Sequence, residues 1–241
     1  MTSADRSDTR KASGGAAIDA DASTPHLVLR SAGIAGMAFS LLFVASLLLV
    51  SARPPDGLDG IAFVDWYTAN ALGPVTVAAL YVAPFAGIAF LWFIGLVRSR
   101  IGTREDQLFA TVFLGSGLLF VAMYWAGAAQ FASLVAGNRF DAAPPLTAAA
   151  LEAVRSSAFS FLFVLAARAA AVFVLVTSTI IWRSRSLPRV LAIVGYVVGL
   201  VMLLSLSFLQ WVVLLFPLWV FLVSGVTLVV EWRRHGAAGP P

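Results

Sequence analysis

The sequence predicts an all-α, polytopic membrane bundle of about six transmembrane helices with both termini cytoplasmic, and three observations carry that reading. The chain is 60 % apolar and 12 % charged, about half the charge of an ordinary soluble domain. Its apolar stretches are uncharged for about one bilayer traverse each, roughly 20 residues per helical crossing of a core about 30 Å thick. Its charges gather in short clusters between those stretches, and the basic clusters recur on alternate loops, as a positive-inside protein requires.

Residues 1–26 form a polar Ser/Ala/Asp-rich tail with too little apolar surface to bury, expected to be a disordered cytoplasmic segment. The first crossing spans about 31–50 and stops at Arg53-Pro54-Pro55. Ile61 to Leu72 mixes Phe63, Trp66 and Tyr67 with Asp65 and Asn70, the pattern of an interfacial helix. The second crossing, 74–97, starts on a proline tolerated in a first turn, and Pro84 inside it should bend the helix or free a carbonyl. Thr103-Arg104-Glu105-Asp106 reads as a capping box for the third crossing, 108–129. Thr147 to Ser157 reads as a separate short Ala-rich surface helix before the fourth crossing, 159–181. From Val190 to Val230 there are 41 residues without a charge, about twice one traverse at 1.5 Å per residue. Two crossings, 190–207 and 211–230, joined by a tight turn near Ser207 to Trp211, fit that length, and a short tail, 236–241, follows.

Orientation follows from the basic residues. With the N-terminus inside, the inner segments hold Arg6, Arg10, Lys11, Arg30, Arg98, Arg100, Arg104, Arg183, Arg185, Arg189, Arg233 and Arg234, while the outer loops hold only Arg53, Arg139 and Arg155. The outer loops also carry Asp56, Asp59, Asp65, Asp141 and Glu152. Small residues at four-residue spacing mark candidate helix contacts: Gly36 with Ser40, Ala79 with Ala83 and Gly87, Ala122 with Ala126, Gly195 with Gly199.

Arg168 is the one ionisable residue inside a predicted crossing and so the first candidate for a polar site. It could bind an anion at the base of an outward cavity, or it could snorkel outward or pair structurally. Asp65 at the outer rim, with Gln130 and Gln210 at interfacial helix ends, are the polar residues that could accompany it. Tyr81, Tyr124 and Tyr196 read as packing residues. There is no cysteine, and His26 and His235 stand near opposite chain ends, so the pattern gives no metal site and no cofactor is expected. No phosphate-binding loop, zinc-protease pair or nucleophile elbow occurs, so nothing points to catalysis. The basic residues sit at helix ends rather than on one patch, which argues against nucleic acid.

The stretch Tyr81-Val-Ala-Pro-Phe-Ala-Gly-Ile-Ala-Phe-Leu-Trp-Phe-Ile-Gly-Leu-Val-Arg98 and the stretch Ile101 to Phe120 resemble a group of uncharacterised bacterial multi-span membrane proteins. That resemblance implies a helical bundle in the bacterial plasma membrane and carries no mechanism. The expected function is a non-enzymatic membrane component, in contact with lipid and with a membrane-protein partner or a second copy. The alternative is a small-solute or anion permeation protein with a polar outward cavity near Arg168.

Overall fold

The computed structural model describes residues 24–52, 54–98, 107–139, 146–185, 187–205 and 210–237. Among them are seven helices and no strand: α1 Thr24–Val50, α2 Gly60–Asn70, α3 Leu72–Arg98, α4 Gln107–Arg139, α5 Ala148–Ser184, α6 Arg189–Leu204 and α7 Leu215–Ala237. Five stretches are long and apolar enough to cross a membrane, within α1, α3, α4, α5 and the segment Trp211–Val230 that ends in α7. The sixth apolar helix, α6, has 16 residues, about 24 Å at helical rise. The chain is a multi-pass membrane protein built as a helical bundle.

Neighbouring long helices run antiparallel, as their side-chain pairings show. Along α3 and α4, Gly87 faces Trp125 while Ile94 faces Gly117; along α1 and α7, Gly33 faces Leu228 while Gly36 faces Ser224. Along α5 and α6, Tyr196 donates to Thr179 at 2.9 Å and Arg168 reaches Ser205 at 3.2 Å. The start of α1, the end of α3, the start of α4, the α5–α6 turn and the end of α7 therefore share one face of the bundle. Among the described residues, Arg98, Arg183, Arg185, Arg189 and Arg233 lie at that basic face, and Asp56, Asp59, Asp65, Glu152 and Arg155 at the far one.

The bundle axis is filled with aromatic rings. Phe39 and Phe43 of α1, Phe90 of α3, Phe120 of α4, Phe173 of α5 and Phe216 of α7 are all buried. Their centroids meet at 4.5 Å for Phe39–Phe90, 4.7 Å for Phe120–Phe216 and 5.2 Å for Phe90–Phe173. Because lipid tails are as apolar as these rings, the cluster stabilises through close packing and edge-to-face contact rather than through expulsion of water.

The structure revises several expectations. The predicted surface helix at Thr147 to Ser157 is the first part of α5, one continuous helix of 37 residues. No proline or glycine separates Ser157 from Ala167, and the chain absorbs the mismatch by winding Ser160–Ala166 as a π turn. At Pro84 the chain answers with its backbone pairing: Ala78–Val82 just before it widens into a second π turn, where the missing proline N–H and the bulk of its ring would disturb an α-helix. The interfacial helix appears as α2, and α6 ends at Leu204; the tight turn expected near Ser207 to Trp211 falls mostly on residues 206–209, outside the described set. The tail before residue 24, Arg53 and the capping box at residues 103–106 also lie outside it.

Candidate functional site

Arg168 is half-buried on α5, about 22 Å of helical rise from Arg183 at the basic face. Its Cα–Cβ bond tilts towards the helix N-terminus, and its guanidinium follows. Nη1 donates to the carbonyls of Phe163 and Val164, both at 3.4 Å, in the π turn; Nη2 donates to the carbonyl of Ser205 at 3.2 Å. Ser205 is the C-cap of α6, whose backbone N–H returns to Val201. The cation thus stands at the negative end of α6 and on carbonyls that a widened turn presents. Arg168 also borders a shallow groove with Gly115, Ser116 and Leu119 of α4.

The other three sequence candidates are not gathered around it. Asp65 is exposed on α2, and Thr68 donates to its backbone carbonyl. Gln130 is half-buried in the last third of α4, short of the helix end, and its carbonyl accepts from Ser133 at 2.6 Å. Gln210 opens the 3-10 turn Gln210–Leu214 before α7.

The far half of the bundle holds a different feature, a cavity of about 440 Å³ between α1, α3, α4 and α5. Ala78, Ala79 and Ala83 of one π turn and its exit form one wall; Ser160, Leu162 and Phe163 of the other π turn form the opposite one. At its floor the Tyr124 phenol and Ser46 hydroxyl meet at 2.7 Å. At its mouth stand Glu152 and Arg155, with Nη1 and Oε2 3.9 Å apart. The Arg155 guanidinium lies over two rings of α2, 5.6 Å from Phe63 and 5.7 Å from Tyr67, contacts that hold a cation in place. Burial pushes the Tyr67 phenol above its usual value, and the positive charge of Arg155 works against that rise. The phenol therefore stays neutral at physiological pH.

Sequence reasoning passed over this cavity. Arg155 read as one charge in an outer loop and Tyr124 as a packing residue. Tyr124 does pack, stacked on Phe120 with centroids 5.9 Å apart. A usable signal for its second role existed: a phenol placed deep in an apolar run needs a hydroxyl partner. The two π turns had one sequence cue between them, Pro84. Among the described residues no group of three or more His, Asp or Glu could hold a metal ion.

No family model matches the chain, and neither a curated protein nor a solved structure does.

Proposed function

We propose that the protein is a non-enzymatic component of a bacterial plasma membrane, closed to solute passage and held to a membrane-protein partner or a second copy through its helix faces. The observation that carries this reading is the aromatic fill of the axis, where six buried phenylalanines from five helices interlock. A path along that axis would need those rings to part. The permeation alternative asks Arg168 to offer free donors to an anion. Its guanidinium is instead engaged with three backbone carbonyls, which favours a structural role for the charge.

In this reading the basic face is cytoplasmic, by the positive-inside bias, so both termini are cytoplasmic and the cavity mouth opens outward. The resemblance of residues 81–120 to bacterial multi-span proteins supports the choice of membrane. The test is chloride and phosphate flux in sealed vesicles carrying the purified chain. Flux equal to that of protein-free vesicles is expected. Flux well above it, abolished by Arg168→Ala, would overturn the proposal and restore the permeation reading.

A further inference from the structure

The far-half cavity has an unusual division of polarity. It is lined by four serines and a tyrosine, yet each of these hydroxyls is already engaged. Ser46 bonds the Phe43 carbonyl and Tyr124; Ser51 bonds Leu48, Ser156 bonds Ala153 and Ser160 bonds Ser156. Towards an occupant these serines therefore offer acceptor lone pairs but no free donor, and Ala78, Ala79, Ala83 and Ala128 add apolar wall between them. Arg155 is the exception. Its carboxylate neighbour is 3.9 Å away, too far for a hydrogen bond, and that Glu152 side chain is 68 % exposed, against 30 % for Arg155. The guanidinium is held over the rings of Phe63 and Tyr67. Its planar N–H fork suits a carboxylate or phosphate.

We propose that this cavity binds an anionic amphiphile: a single carboxylate or phosphate head at Arg155, and an alkyl chain running between the two π turns towards the Ser46–Tyr124 pair. The volume of about 440 Å³ falls within the usual range of small-ligand sites, about 300–1,000 Å³. The first widened turn lines the site with the small side chains of Ala78 and Ala79, and the second with Ser160, Leu162 and Phe163. This inference does not depend on the bundle being closed along its axis.

The head chemistry could come from a free fatty acid or from a membrane lipid, so the experiment has two arms. The full chain is placed in phosphatidylcholine nanodiscs, and saturable binding is measured for radiolabelled laurate and for lauroyl lysophosphatidylglycerol. Binding of either is expected; which one binds more tightly identifies the source. Arg155→Gln should weaken it about tenfold or more, as loss of a charge-assisted contact does, with Arg155→Lys recovering part. Ala128→Leu, which leaves the charge intact and fills the cavity, should weaken binding as well, and it carries the test if Arg155→Gln fails to fold. Arg189→Gln at the opposite face should change nothing. No saturable binding of either probe, or binding unaltered by both Arg155→Gln and Ala128→Leu, would overturn the proposal.

Discussion

Arg168 brings together two backbone defects that each need a donor: the carbonyls of a π turn in α5 and the last carbonyl at the end of α6. A charge in a bilayer costs about 2.5–3.5 kcal/mol on insertion scales, and a guanidinium offsets that cost by engaging several acceptors at once. Lysine, with a compact ammonium, could serve one acceptor but not span both helices. We expect Arg168→Met to destabilise the protein by about 1–3 kcal/mol, seen as a lower Tm of the solubilised chain. Amide hydrogen exchange should accelerate selectively at residues 202–205, with Arg168→Lys intermediate. Unchanged exchange at the α6 end would remove the capping role. The sequence picked out Arg168 because a lone charge in an apolar run is conspicuous. Its partners stayed hidden because backbone carbonyls leave no mark in residue identity.

The α5–α6 hairpin shows why small residues matter at the level of the element. Gly195 and Gly199 lie on the buried side of α6, and a Cβ added at Gly199 would meet Leu175 Cγ at 2.7 Å and the Ala171 carbonyl at 3.2 Å. The second contact is with backbone and cannot yield easily. By contrast, a Cβ at Gly225 of α7 would find only Met37 Cε, at an ordinary 3.5 Å. Gly199→Val should therefore cost about 1–3 kcal/mol through overpacking, while Gly225→Ala stays near neutral; thermal unfolding of the two variants in one detergent makes the comparison. Equal stability of the two would refute the close-approach account. The Gly195/Gly199 spacing was readable as a contact, as was Gly36, which packs against Ser224 and Phe93. Ala122 of the Ala122/Ala126 pair is exposed on α4, so it packs against no helix of the bundle itself. In an alanine-rich chain the spacing recurs without a partner, and only packing tells the cases apart. The same limit hid the continuity of α5: a polar, Ala-rich opening and an apolar remainder look like two helices when read by hydropathy, although no residue between them breaks the backbone.

For the whole molecule, the apolar runs and basic clusters were enough to read a multi-helix membrane bundle, because bilayer thickness imposes a length on each segment that hydropathy reveals directly. The far-half cavity was less legible, since it lies between two π turns, and neither of these is set by local periodicity. The architecture depends on an alternating path in which α6, despite its 16 residues, carries the chain from the basic face to the opposite one. The absence of cysteine from the chain makes this directly measurable. Single cysteines replace Asp56, Ser184, Gln210 and Gly236 in turn, and sealed vesicles of known orientation are treated with a membrane-impermeant maleimide. The account predicts that Asp56→Cys and Gln210→Cys react from one side, and Ser184→Cys and Gly236→Cys from the other. Reaction of Gln210→Cys from the same side as Gly236→Cys would contradict it.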